Sequence, residues 1–141
     1  MTDRSDLVRF VAAQDDCDTY ACALDELRRG CKTSHWMWFV FPQIAGLGFS
    51  AMSQRYAITS LDEARAYLDH PVLGPRLIAC ATIVAEAEDR SATEIFGGMD
   101  AQKLHSSMTL FHRAAPDEPV FARVLERYFD GVTDPATDER L

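Results

Sequence analysis

Residue types able to do chemistry concentrate in two stretches of this chain. The first is KTSHWMWFVFPQIAGLGFSAMS, residues 32–53. It holds both tryptophans, Trp36 and Trp38, among Lys32, Ser34, His35 and Gln43. A Gly46-Leu47-Gly48 loop follows, with Ser50 and Ser53 behind it. Core segments seldom carry so many polar groups, and surface loops seldom carry so many aromatics. The mixture therefore predicts one wall of a pocket. Indole faces there would stack a base or a sugar, and Lys32 would meet an anion. The glycine loop, opening into a helix at Ser50, would offer backbone N–H groups to a phosphate. Ser34, Gln43, Ser50 and Ser53 would orient the ligand. His35 is the best acid/base candidate, since aromatic surroundings would tune its imidazole. The plainer alternative is that the aromatics are core and the glycines mark a tight loop.

The second stretch surrounds Lys103. At helical spacing Lys103, Ser106, Ser107 and Leu110 share a face that borders the apolar stripe Leu104, Met108 and Phe111. A lysine with two hydroxyls one turn away can hold an anion or, desolvated, act as a base. The same pattern also fits a snorkelling lysine and serines bonded back to helix carbonyls. The catalytic candidates are thus His35 and Lys103. The ligand-binding candidates are the remaining polar, aromatic and glycine residues named in the two stretches.

Other signatures point away from familiar chemistries. His105 and His112 lie seven residues apart, about 10 Å along a helix, too far for one metal ion, and are expected to be exposed. His70, before Pro71, reads as a turn residue. No HExxH motif is present, so neither a metal nor a cofactor is expected. Ser34 and His35, being adjacent, point about 100° apart on a helix, and no GxSxG elbow supports a triad.

Size and charge narrow the class further. A chain of 141 residues fits one domain and needs no disulfide to hold a core. A net charge of −8 argues against a general nucleic-acid binder. The four cysteines lack CxxC or zinc spacing and read as reduced thiols in a cytoplasmic protein. No apolar stretch is long enough for a signal peptide or a membrane span.

The elements that must position these residues read as helices. Leu7, Phe10 and Val11 mark the first, capped by Ser5 or Asp6. Tyr20, Leu24 and Leu27 mark the second, with Asp25, Glu26, Arg28 and Arg29 on its wet side and Gly30 at its end. HWMWFVF is expected as a helix capped by Thr33 or Ser34 and stopped by Pro42. Ser60 with Glu63, and Ser91 with Glu94, have capping-box spacing. The helix near Val72–Glu88 has the widest apolar face and is expected at the centre. Asp100 is expected to cap the Lys103 helix, and a last helix carries Val120, Phe121, Val124 and Leu125. The tail DPATDERL reads as loosely attached. The expected fold is a single all-α domain over residues 1–141, a bundle of about seven or eight short helices without significant sheet. Residues 1–4 and 133–141 are expected to be loosely ordered.

Four strings, KTSHWMWFVFPQ, GLGFSAMSQRYAI, HPVLGPRL and KLHSSMTLF, occur in this order. With them the chain resembles the bacterial domain-of-unknown-function family 1810 from LVRFVAAQ to VLERYFDGV. The resemblance implies an all-α cytoplasmic bacterial protein and no established reaction. The calpastatin label sometimes attached to that family fits badly, because calpastatin-type inhibitors are disordered and this chain has core-forming helices. Members of the family usually carry proline where Met99 stands, before the aspartate of the FG-x-x-D turn. The chain is also distantly similar to the NADAR proteins, helical N-glycosidases acting on ADP-ribose-type substrates, although no catalytic motif matches residue by residue. Together these readings predict a pocket for a small anionic, nucleotide- or ADP-ribose-like ligand, with an N-glycosidase-type hydrolase as its enzymatic form. The alternative is an interaction module using an exposed aromatic patch. No membrane partner is expected, and the oligomeric state stays open.

Overall fold

The computed structural model describes residues 7–141. The expected cap at Ser5 or Asp6 and the expected loose segment 1–4 lie outside the described residues. The elements are α1 Val8–Asp15, a 3-10 turn Asp16–Asp18, α2 Thr19–Arg29, α3 Met37–Val40, α4 Ala51–Arg55, α5 Leu61–Asp69, α6 Leu73–Glu86, α7 Ala92–Phe96, α8 Gly98–Ala114, α9 Pro119–Phe129 and α10 Pro135–Asp138. Extended pairing among these residues is confined to one bridge between Ile44 and Ile58. The all-α reading therefore holds. No helix among the described residues is long and apolar enough to cross a membrane.

The centre belongs to α8, although the sequence favoured α6. Helix α8 packs against α5, α7, α9 and α10, while α6 packs against α2, α5 and α9. Leu104, Met108, Leu110 and Phe111 of α8 are fully buried. Each contributes roughly 1.5–3 kcal/mol relative to exposure. Length is the reason for the difference. At 17 residues α8 is the longest element described, so it presents both its apolar stripe and its small residues to neighbours on several sides.

Helix boundaries follow local chemistry. Ser91 and Glu94 form a full reciprocal box. Ser60 accepts from Glu63 N–H, but Glu63 reaches past it to Thr59 N–H. His70 Nδ1 accepts from Val72 and Leu73 N–H, so the turn residue caps the start of α6. At Gly74 a β-carbon would stand 2.0 Å from the Leu68 carbonyl oxygen. Helices α5 and α6 meet there at a distance only glycine allows.

Several expectations are overturned. Neither Thr33 nor Ser34 caps α3; Trp36 holds that position with no side-chain cap bond. Glu26 is not on a wet face: it is 3% exposed. It faces inward with Ala23 and Leu27, where its carboxylate is satisfied by donors from the next loop. Asp100 does not cap α8, because the cap position falls at Gly97 and places Asp100 inside the first turn. The tail is not loose. Asp134 and Thr137 are buried, and α10 packs on α8. Its polar residues read as solvated in sequence but are spent on internal bonds. Asp134 caps α10 through Thr137 N–H, and Asp138 pairs with Arg113 at 3.0 Å.

Candidate functional site

The site begins with a buried acid. One oxygen of Glu26, Oε1, accepts from Thr33 N–H at 2.7 Å, Ser34 N–H at 2.8 Å and Trp36 Nε1–H at 3.0 Å. Burial alone would push this carboxyl up. The hydrogen bonds from Ser34, Thr33 and Trp36 outweigh it and hold the pKa at about 2. This anchor fixes the loop that carries Lys32 and the entry into α3. Lys32 donates to Ser34 O at 2.6 Å and pairs with Asp100 Oδ2 at 2.8 Å. The other Asp100 oxygen takes Lys103 at 3.1 Å. Burial would raise the Asp100 carboxyl, but the bonds from Lys32 and Lys103 prevail and hold it below the usual range. One carboxylate thus clamps two lysines from segments far apart in sequence. The Lys103 ammonium also lies 4.1 Å from the centre of the Trp38 ring, in cation–π contact.

Beside this clamp is a cavity of about 530 Å³. Trp38, Gln43, Ile44, Gly46, Leu47, Gly48, Ser53, Tyr56 and Ala57 form one wall. Gly98, Met99, Gln102, Lys103 and Ser106 form the α8 wall, and Asp134 and Ala136 of the tail close the third. The first wall is held by backbone bonds from Ala45 N to Ile58 O and from Ile58 N to Gln43 O, each 2.8 Å. Arg9 reaches from α1 to the carbonyls of Arg55 and Ala57. Gly46, with φ of 96°, lies under the Arg140 side chain, and a β-carbon there would come within 2.8 Å of the guanidinium.

The two predicted stretches therefore meet, but not every predicted residue reaches the cavity. Trp38, Gln43, Gly46, Gly48, Ser53, Lys103 and Ser106 line it. Lys32, Ser34 and Trp36 stand behind it. Trp36 is fully buried beside Phe41 and Phe96. His35 is exposed and lies outside the lining, so the aromatic surroundings expected for it do not form. Successive positions before α3 turn Trp36 inward and leave His35 to solvent. Ser50 is also outside the lining. Its hydroxyl caps α4 by accepting from Ser53 N–H, which uses a donor that a phosphate would need. Ser107 is fully buried with no hydrogen-bond partner for its hydroxyl, and it lies outside the cavity. His105 and His112 are half-buried, not exposed. His105 stacks on Phe129 at 4.1 Å, and its Nε2 bonds Val132 O.

Tyr56, Gln102 and Asp134 carry no site signal in the sequence reading, and Asp100 reads there only as a helix cap. The order Asp134-Pro135-x-Thr137 is a helix-start signature that would have pointed to an ordered tail. The cavity also contains polar groups without a protein partner. The Gln43 side-chain amide and the Tyr56 hydroxyl make no hydrogen bond among the described residues. No group of three His, Cys, Asp or Glu among the described residues is placed to hold a metal ion.

Comparison with known proteins agrees with this architecture. The crystal structure of the conserved hypothetical protein Rv1873 from Mycobacterium tuberculosis superposes with a TM-score of 0.94 at 50% identity. The match covers 99% of this chain and 98% of that one. No functionally curated protein matches the chain. Residues 4–141 match the family model described as a protein of unknown function, DUF1810. With nearly its whole length matched, the chain belongs to the DUF1810 family.

Proposed function

We propose that this protein binds a small ligand carrying a planar ring and an anionic group, of the nucleotide or ADP-ribose kind, in the cavity between α3–α4 and α8. The observation that carries the reading is the joint placement of Trp38, Lys103 and the unpartnered Gln43 and Tyr56 groups around one cavity. Its volume of about 530 Å³ falls among those of small-molecule sites. An indole with an ammonium over its ring suits a ligand ring with a nearby negative charge. Polar groups left without protein partners are costly to desolvate unless a ligand or water satisfies them. Lys103, ion-paired with Asp100, serves here as a cation and not as a base.

The hydrolytic form of this reading, cleavage of an N-glycosidic bond, is favoured by Asp134, a carboxylate on the cavity wall. His35 does not support it from its exposed position. An interaction module would need an aromatic patch on the surface. Trp36, Phe39 and Phe41 are instead buried, and Phe49, at 91% exposure, stands as a single outward ring.

The test is a thermal-shift screen against nucleotides, ADP-ribose derivatives and sugar phosphates. A probe at 100 times its Kd stabilises the fold by about 2.7 kcal/mol. The wild type should respond, and Lys103→Met and Trp38→Ala should not. Lack of response across the three classes, or an undiminished response in both variants, overturns the reading.

A further inference from the structure

The cavity lining carries charges of both signs, Lys103 and Asp134, and the groups around Asp134 have a definite hydrogen-bond polarity. Asp134 is 5% exposed, and what remains open faces the cavity it lines. Its Oδ2 accepts from Thr137 Oγ1–H at 2.6 Å and from Thr137 N–H at 3.3 Å. Its Oδ1 takes a single long bond, from Gln102 Nε2 at 3.3 Å. A carboxylate has about four acceptor sites, so Oδ1 retains capacity on the cavity side. Thr137 has one hydroxyl proton, and it is committed to Asp134. In the 2.8 Å contact between Ser106 Oγ and Thr137 Oγ1, Ser106 must therefore be the donor. That leaves the Ser106 hydroxyl only lone pairs to offer. The same logic applies to Ser53, whose hydroxyl donates to Ser50 O at 2.9 Å.

An end built from spare acceptors requires a ligand rich in donors. An anionic group would be repelled by Asp134 and is better placed toward Lys103. Neighbouring hydroxyls of a sugar match the acceptors, since a carboxylate accepts short, charge-assisted O–H bonds. We infer that Asp134, with Ser106 and Gln102, is the diol-recognising end of the cavity and that its ligand class is a ribosyl phosphate compound. The ring then lies toward Trp38 and the phosphate toward Lys103. This inference rests on the cavity being a ligand site, as proposed above. The tail thereby becomes part of the binding site, because α10 and its cap residue supply the acidic end.

The experiment compares AMP with 2′,3′-dideoxy-AMP by titration calorimetry on the full chain, with ADP-ribose as a second diol-bearing probe. Tryptophan serves as a ring-and-amine probe lacking a diol. The variants are Asp134→Asn, which keeps an acceptor to cap α10, and Gln102→Leu on the surface of α8, which keeps the fold testable should Asp134→Asn unfold. The wild type should prefer AMP over the dideoxy probe by roughly tenfold to a hundredfold. Asp134→Asn should collapse that preference without weakening dideoxy-AMP binding, and Gln102→Leu should reduce it. Equal wild-type affinity for the two nucleotides, with binding still dependent on Lys103 and Trp38, overturns this inference and leaves the cavity reading standing. A preference that survives Asp134→Asn, or both probes weakening together, overturns it too. Asp134-dependent capture of tryptophan would reassign the end to an amine. Failure of AMP and ADP-ribose to bind at all overturns both readings.

Discussion

Replacing Glu26 by glutamine should destabilise the protein near neutral pH and do so progressively less as the solution is acidified. The carboxylate lies on the inner face of α2 and takes three donors through one oxygen, each at 3.0 Å or less. Its pKa falls from an ordinary 4.5 to about 2. A drop of that size corresponds to at most about 3.4 kcal/mol. The loop supplying the donors is partly open to water, and screening there brings the expected contribution to about 2 kcal/mol. The folded pKa is the lower one, so between 4.5 and 2 the unfolded chain binds the extra proton. The stabilisation is whole above the unfolded value and is lost as pH falls toward the folded one. Glutamine preserves the shape and one acceptor but does not titrate. Urea unfolding followed by tryptophan fluorescence, on both proteins at roughly pH 7, 5, 4 and 3, measures the gap between them. It should narrow from about 2 kcal/mol to less than about half of that at the most acidic point. A gap that stays constant over the whole range would refute the assignment of Glu26 as the charged anchor of the 31–36 loop.

Three further outcomes follow from particular contacts. Gly74→Ala places a β-carbon against the Leu68 carbonyl, a backbone atom that cannot rotate away, and should cost about 3 kcal/mol in urea unfolding. The Cys80 thiol, pushed up to about 12 by burial, should resist iodoacetamide at mildly alkaline pH while the exposed Cys17, Cys22 and Cys31 react; mass spectrometry should count three labels on the folded protein and a fourth after unfolding. Asp138→Asn removes the ion pair to Arg113 and should change global stability by less than about 1 kcal/mol. Amide hydrogen exchange in α10 should nevertheless accelerate, since Arg113 and Thr133 tie Asp138 to the rest of the tail's anchorage.

How far the site could be read in sequence depended on whether residue type and spacing agreed. On Lys103, Trp38 and Gln43 they did, and those residues line the cavity. Trp36 and Trp38 are two positions apart, so they cannot share a direction in a helical turn. Composition alone did not say which would face the cavity. At Glu26 the spacing was right and the residue type misled. Ala23, Glu26, Leu27 and Gly30 recur at helical intervals and form the buried face of α2. A carboxylate on that face is buried because the following loop turns two backbone donors and an indole toward it, and those partners exist only after the loop is folded. Ser107 failed for the opposite reason. It borders the Lys103 strip, but α8 is covered on so many sides that the strip splits, with Ser106 at the cavity and Ser107 in the core. The tail's polarity suggests a solvated segment, but its Asp134-Pro135 cap pattern is the feature that orders it.

The architecture of the proposed site shows how an acidic chain can hold a cation beside a cavity. Asp100 lies between Lys32 and Lys103, so the group of three carries one net positive charge, not two. Each ammonium also lies over an indole, Lys32 at 5.0 Å from the Trp36 ring and Lys103 at 4.1 Å from the Trp38 ring. Lys103 is thereby held in position before any ligand arrives, which lowers the ordering cost of binding. The same clamp limits its pull, because an incoming anion shares Lys103 with Asp100. For the proposed ligand, affinity would come largely from stacking at Trp38 and from partners for Gln43, Tyr56 and Asp134. A simple inorganic anion has no ring to stack and cannot reach these groups together, whereas a ligand with ring, hydroxyls and phosphate can. Inorganic phosphate alone should therefore bind far more weakly than a ribosyl phosphate, and equal affinity for the two would show that the clamp, not the cavity, is what binds.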